Sequence, residues 1–591
     1  MLKKTFCLLV FASFLQPALA QASPDITVER GVAMKTRDGV TLRADIYRPA
    51  ADGQYPVLLT RTPYNKDSMS PIGLKGAKRG FIMVIQDVRG RYSSEGRWYT
   101  FKNEMNDGYD TVEWAAALPH SNGKVGMFSG SYVGATQMLA AIAHPPHLAG
   151  ICPVVTASNY HENWTYQGGA FEQWFNESWT SGLAQDTLNR VIRDRTNALV
   201  GDAVLPLNEY PVFNLRGAPQ GADLTRALAP YFLDWLAHPT YDDYWKQWSI
   251  EENFQNIQVP SLTIAAWYDI FLGGSLRNYM GMKANGGTEA ARKNQHLLVA
   301  IGGHSGWGRN IGQVDFGPQA PFDENEVTIE WYEYLFLGKQ NEFATEKPVK
   351  LFVMGKNEWR YEDSWPLDRA KATKYYLFSG GHANGPFSDG MFAPAAPPSK
   401  LPASDAIVYD PANPVPTTGG PLCCDNNHLP GGPFDQQAVE ARPDVLVYST
   451  GPLAEDLEVT GPVTLDLYAS SSAVDTDFTA KLVDVAPDGK AFNLTEGILR
   501  ARYRESTTGD PKPVVPGQVY EFKIDLWATS NVFLKGHRIR LEVSSSNFPR
   551  FDRNLNTGKD AATSADFVKA TNTVYHDTQH PSALILPVVP R

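Results

Sequence analysis

A chain of 591 residues is long enough for three or four domains at ~150 residues each. Its 43% apolar and 12% aromatic content excludes a disordered or low-complexity protein. A net charge of −11 gives no electrostatic reason to bind nucleic acid or an anionic membrane, and four cysteines in this length exclude a disulfide scaffold.

Residues 1–20 carry Lys3 and Lys4, an apolar run over 6–14, and the small-residue ending Ala18-Leu-Ala20. That pattern predicts a secretory signal peptide cleaved before Gln21. The run is too short to span a bilayer, and no later stretch is longer and as apolar. The mature protein is therefore expected in the periplasm or outside the cell, with no membrane anchor. Cleavage removes two lysines and no acid, so the charge moves from −11 to −13. Three cysteines survive, of which the adjacent Cys423 and Cys424 form either a vicinal disulfide or a buried pair of thiols.

Residues 27–47 alternate and turn at Asp38-Gly39, which reads as an antiparallel hairpin. Buried parallel-type strands follow at 56–60 and 81–85, an amphipathic helix at 108–118, and a further strand at 125–128. Strands alternating with helices imply a parallel sheet covered on both faces. Residues 156–250 differ: they carry Trp164, Trp174, Phe175, Trp179, Trp235, Trp245 and Trp248 on helix-like stretches with few β-branched runs. They are expected to form a helical cap inserted into the sheet domain. Buried strands resume at 261–266 and 296–301, and a helix follows at 326–337. Beyond about residue 365 the chain becomes short alternating strands between Pro/Gly turns, the pattern of a β-sandwich. The expected division is an α/β domain over 21–155 and 251–364, a cap over 156–250, and a β-sandwich over 365–591.

One stretch carries chemistry. Lys124-Val-Gly-Met-Phe-Ser-Gly-Ser-Tyr-Val-Gly134 reads as a strand end, a sharp turn and a helix start, with Ser131 at the turn. Such a turn lifts a serine hydroxyl clear of the sheet and sets the next backbone N–H, that of Tyr132, beside a forming oxyanion. The stretch departs from the usual elbow, since Ser129 stands two before the serine where glycine is common. Serine chemistry also needs a base and a carboxylate that orients it, in loops after later strands. Asp269 follows the strand at 261–266, and His304 follows the strand at 296–301. The loop after the first central strand should supply a second oxyanion donor, and there Tyr64 follows Pro63. On residues alone the favoured reading of Tyr64 is a packed ring with its hydroxyl at the surface.

The motifs Arg61-Thr-Pro-Tyr-Asn-Lys66, Gln86-Asp-Val-Arg-Gly-Arg-Tyr-Ser-Ser-Glu-Gly96, Gly130-Ser-Tyr-Val-Gly134, His238-Pro-Thr-Tyr-Asp-Asp-Tyr-Trp245, Ala266-Trp-Tyr-Asp269 and Phe548-Pro-Arg-Phe-Asp-Arg-Asn554 resemble the cocaine esterase-like serine hydrolases. That group is related to X-Pro dipeptidyl peptidases, glutaryl-cephalosporin acylases and α-amino acid ester hydrolases. The resemblance runs over nearly the whole mature chain. It implies an α/β-hydrolase domain, a helical cap and a C-terminal jelly roll, with no cofactor or metal. By position it implies Ser131 as nucleophile, Asp269 and His304 as the rest of the triad, and an oxyanion hole of the Tyr64 hydroxyl and the Tyr132 N–H. The usual Gly-Pro-Trp-x-His before the base is here Ala300-Ile-Gly-Gly-His304, which leaves a smaller wall beside His304.

The implied substrate is a small-molecule acyl ester or amide, and a homo-oligomer is neither required nor excluded. Ile270-Phe-Leu-Gly-Gly274 after the triad aspartate is apolar, so Phe271, Trp267 and Trp164 are expected to line the acyl pocket. An α-ammonium would need carboxylates from elsewhere, and Glu162, Glu172 and Glu177 on the cap are the candidates. Asp475, Asp477, Asp484 and Asp488 read as solvated turns rather than a calcium loop. Asn163-Trp-Thr and Asn176-Glu-Ser match a glycosylation pattern weakly. A reading from another class, a carbohydrate- or surface-binding module on an inactive hydrolase, leaves the complete Ser, Asp, His and Tyr set unexplained.

Overall fold

The computed structural model describes residues 25–202, 222–304, 306–385, 387–395 and 403–590. The expected signal peptide lies outside the described residues. The chain builds one large mixed sheet from β1 (Ile26–Lys35), β2 (Thr41–Pro49), β3 (Tyr55–Thr62), β4 (Ile82–Asp87), β5 (Ser121–Gly130), β6 (Leu148–Val154), β7 (Ser261–Tyr268), β8 (Gln295–Gly303), β9 (Val349–Val353) and β10 (Glu358–Glu362). Their order across the sheet is β1-β2-β4-β3-β5-β6-β7-β8-β9-β10. The β1–β2 hairpin is antiparallel, and β4, β3, β5, β6, β7, β8 and β9 run parallel to one another. The parallel strands are nearly continuous apolar runs because helices cover both faces. These include α1 (Ser70–Lys78), α2 (Glu104–Ala116), α3 (Tyr132–Ile142), and, beyond the cap, α7 (Leu272–Asn285) and α8 (Glu324–Leu337).

Between β6 and β7 the chain leaves the sheet to form the cap, with α4 (Gln173–Asp202), α5 (Ala222–Leu228) and α6 (Pro230–Ala237). Apart from half-buried Trp174 its tryptophans are core: Trp164, Trp235 and Trp245 are fully buried, in one apolar cluster with Phe271, Phe175 and Trp179. After β10 an eleven-stranded β-sheet domain follows, from Lys371–Phe378 to Ala583–Val589. Its long strand Leu457–Ser471 pairs with Tyr520–Phe533, Ala570–Tyr575 and Ala583–Val589.

The cap rests on this domain through backbone. Arg500 N–H donates to Gly168 O (2.9 Å), Trp174 N–H to Pro549 O (3.0 Å), and Asp552 N–H to Phe171 O (2.9 Å). Gly168 has φ 53°, and a Cβ there would meet Ile498 O at 2.1 Å, so only glycine permits the approach. Arg550, from the motif near the chain's end, is buried beneath the junction and donates to Gln167 Oε1 (3.0 Å) while pairing with Glu496.

Several expectations change. Asp475 and Asp477 are not solvated: both are buried, paired with Arg502 (3.2 Å) and Arg500 (2.9 Å), and share Asn554 Nδ2. Asp484 accepts from His537 Nδ1 at 2.8 Å, whereas Asp488 is exposed as expected. Asn163 and Asn176 are buried, and Asn176 Nδ2 donates to Glu172 O (2.8 Å), so neither offers a glycan site on the folded chain. Cys423 and Cys424 are disulfide-bonded to each other.

Candidate active site

Ser131 sits where β5 ends and α3 begins, at φ 61° and ψ −130°. The turn is braced from every side. Ser131 N–H donates to Val154 O (2.9 Å), its carbonyl accepts from Thr156 Oγ1 (2.8 Å), and Gln137 Nε2 donates to Ser129 O (2.7 Å). Gln137 Oε1 in turn accepts the Cys152 N–H at 3.0 Å, which ties the turn to β6. Ser129 itself has φ 94°, the left-handed region that glycine occupies without penalty. A Cβ on Gly134 would meet Thr156 Cβ at 2.7 Å, so that glycine lets α3 lie against the strand-end loop.

The base and its carboxylate reach this serine from β8 and β7. His304 Nε2 lies 2.9 Å from Ser131 Oγ, and His304 Nδ1 lies 2.7 Å from Asp269 Oδ2. Asp269 is fully buried, and its other oxygen accepts the Phe271 N–H at 2.7 Å. A neutral imidazole with Nδ1–H toward Asp269 leaves Nε2 free to accept the serine proton. Trp307, from the short strand paired back onto β8, fills the space at Gly302: a Cβ there would meet its ring at 2.9 Å. Trp307 thus packs against the strand end two residues before His304. Trp307 Nε1 donates to Glu324 Oε2 (3.1 Å), and burial holds that carboxyl above its ordinary range against the pull of His304.

Tyr64 comes from the loop after β3. Its hydroxyl neighbours Ser131 and the Tyr132 N–H, and burial pushes the phenol pKa above its ordinary value against the pull of those neighbours. It is therefore a protonated donor near neutral pH. The Tyr132 N–H is among the first in α3 and has no partner within the helix. Its ring is fixed behind the site: Tyr132 Oη donates to Glu104 Oε1 (3.1 Å) and accepts the Phe101 N–H (2.6 Å). Glu104 is held in turn by Arg61 Nη1 at 2.8 Å. This buried Arg61–Glu104–Tyr132 line was not singled out from sequence, although Arg61 lies in one of the quoted motifs.

Phe271 and Trp164 stand next to the triad. Phe271 meets the His304 ring edge-on at 5.1 Å and stacks on Trp164 at 4.5 Å. Trp267 does not. Its indole donates to Phe352 O (2.7 Å) and packs on Trp365, in the core shared with the C-terminal domain. The alternation of β7 puts Trp267 on the face of Ala265, away from the cap. The cap carboxylates are also engaged elsewhere. Glu162 Oε1 accepts the Gly168 N–H (2.8 Å), Glu172 faces Arg550 (3.5 Å), and Glu177 borders an outer cavity of about 400 Å³ between cap and β-sheet domain.

Known proteins share this architecture. A family model described as X-Pro dipeptidyl-peptidase (S15 family) matches residues 38–306, and one for the X-Pro dipeptidyl-peptidase C-terminal non-catalytic domain matches residues 341–585. Cocaine esterase of Rhodococcus sp. (strain MB1 Bresler) is 38% identical over 585 residues, covering 96% of this chain and 99% of that protein. The chain belongs to the S15 family of serine hydrolases. A putative serine esterase of Mycobacterium bovis is 25% identical, covering 94% of each chain. Among solved structures, an aminopeptidase from a marine sediment Thaumarchaeota archaeon superposes with TM-score 0.79 at 26% identity, covering 98% of this chain and 99% of that one. An α-amino acid ester hydrolase superposes with TM-score 0.76 at 26% identity, covering 98% and 100%. As an S15 hydrolase the chain pairs an α/β catalytic domain with a separate β-sheet domain, as the sequence predicts.

Half-buried Glu162 bears on pH. Burial raises its pKa from 4.5 to about 7. The folded chain then keeps a proton that the unfolded chain has lost, so this contribution is complete below about 4.5 and disappears as pH rises through about 7. Glu162→Gln should flatten that loss, gaining at most ~3 kcal/mol over wild type between about pH 5 and pH 9. Urea midpoints against pH check it, and parallel profiles for the two proteins would reject it.

Proposed function

We propose that this S15 hydrolase cleaves a small-molecule ester of an uncharged acyl group through an acyl-enzyme, and that it does so after export from the cytoplasm. Ser131 Oγ attacks the carbonyl carbon while His304 Nε2 takes its proton and Asp269 holds the imidazole tautomer. The tetrahedral oxyanion is met by the Tyr64 O–H and the Tyr132 N–H. His304 then gives its proton to the departing alkoxide, and water repeats the sequence on the acyl-serine. The observation that carries this reading is the hydrogen-bonded line from Asp269 through His304 to Ser131, at 2.7 and 2.9 Å. A fluorophosphonate probe followed by peptide mapping tests it: the adduct should sit on Ser131 alone, and no adduct would remove the reading.

The relative named cocaine esterase supports an ester substrate. Relatives named for X-Pro peptides and α-amino acid esters point instead to a free amino group in the substrate. The residues beside the triad favour the uncharged acyl group, because Phe271 and Trp164 present aromatic surface. Uncharged aromatic acyl esters should exceed their α-ammonium counterparts in kcat/KM by at least about tenfold, an edge of ~1.4 kcal/mol. A panel of matched esters and amides, including X-Pro and phenylglycine substrates, reads this directly. A preference for the α-ammonium members would assign the cap acids, Glu162 first, to the pocket.

A further inference from the structure

The Tyr64 hydroxyl has a partner that the triad leaves unexplained. Trp179, from α4 of the cap, points its Nε1 at Tyr64 Oη across 3.1 Å. An indole N–H can only donate, so the tyrosine oxygen is the acceptor. The Tyr132 backbone N–H, the second neighbour of that oxygen, is also only a donor. With one lone pair engaged by the indole N–H, and the neighbouring Tyr132 N–H unable to accept, the Tyr64 proton is left facing the Ser131 side. Two donor lines then meet at the serine: Trp179 donates to Tyr64, whose hydroxyl neighbours Ser131, and Ser131 donates to His304 and His304 to Asp269.

We infer that Trp179 is a positioning residue of the oxyanion hole, whose indole N–H turns the Tyr64 hydroxyl toward the reacting centre and strengthens it as a donor. A hydroxyl otherwise rotates freely about its C–O bond, and a donor placed on its oxygen polarises the O–H further. Trp179 can do this because its own ring is held. It stacks on Tyr132 (6.0 Å, 26° between planes) and on Trp235 (6.2 Å, 18°), and meets Trp164 edge-on at 5.5 Å. The first turn of α4 is pinned below it by the Trp174 N–H on Pro549 O. When the acyl carbonyl becomes an oxyanion, the Tyr64 proton turns to it, with the Trp179 bond unchanged. No covalent bond of Trp179 is made or broken.

The inference rests on the reading of Tyr64 as an oxyanion donor, and a double-mutant cycle separates the two. Trp179→Phe keeps an aromatic ring and loses the N–H, so kcat for an activated ester should fall about tenfold. In a Tyr64→Phe background the same change should alter kcat less than about twofold, because no hydroxyl remains to be oriented. If Trp179→Phe spoils folding, benzothienylalanine at position 179, which has sulfur in place of the N–H and nearly the same shape, is read in the same cycle. A loss equal in both backgrounds would reduce Trp179 to packing, and an unchanged kcat in the wild-type background would remove it from the hole altogether. Failure of the Tyr64 reading shows separately, as a Tyr64→Phe loss below about tenfold on its own.

Discussion

Ser131→Ala is expected to lower kcat on any ester that the protein turns over by on the order of 10⁴-fold or more, with the fold unchanged. The substitution removes one oxygen from a turn held by backbone and by Thr156 and Gln137, none of which touches the serine hydroxyl. What is lost is the nucleophile and the acceptor to which His304 is aimed. The remaining oxyanion donors and pocket can still bind substrate, so KM should move far less than kcat. His304→Ala should cost a similar factor and add nothing in the double variant, since the two residues act as one unit. A Ser131→Ala protein retaining more than about a hundredth of wild-type turnover would place the nucleophile elsewhere.

Tyr64→Phe should cost ~10²–10³ in kcat, or roughly 3–4 kcal/mol of transition-state stabilisation. Only a hydroxyl goes, and the ring keeps its place against the apolar cluster. The penalty should fall on kcat rather than KM, because the bond to the oxyanion exists fully only once the carbonyl carbon is tetrahedral. A second effect accompanies it: the Trp179 N–H loses its acceptor in a buried site, which should cost ~1–3 kcal/mol of stability. Steady-state kinetics and urea midpoints on the same preparation check both halves. A rate loss below about tenfold with a normal midpoint would return Tyr64 to a packing role.

Much of the site was legible in the sequence because each triad member ends a strand whose apolar run is easy to see. Order along the chain then places Ser131, Asp269 and His304 at one end of a parallel sheet. The division into α/β sheet, helical cap and β-sheet domain was legible for the same reason, since the period changes between them. Trp267 was misjudged on a specific point. Alternation says that Ala265 and Trp267 share a face of β7, but not which layer covers that face; the C-terminal domain does, through Trp365. Trp179 was seen only as one of many cap aromatics, because nothing in its spacing marks the tyrosine it meets 115 positions earlier. The buried Asp475 and Asp477 were misjudged likewise, since their partners Arg500, Arg502 and Asn554 are remote in sequence and no local pattern announces an ion pair.

The cap interrupts the sheet between neighbours. β6 and β7 lie side by side, with Ile151 opposite Ser261, yet about a hundred residues of cap separate them along the chain. Ser131 belongs to the half made before that excursion, whereas Asp269 and His304 belong to the half made after it. A ribosome therefore finishes the nucleophile's strand and helix long before either partner exists, and the loop must close before the three meet. On the proposed triad, the chain should be inert while it is being made and acquire its chemistry only when its two halves of sheet join.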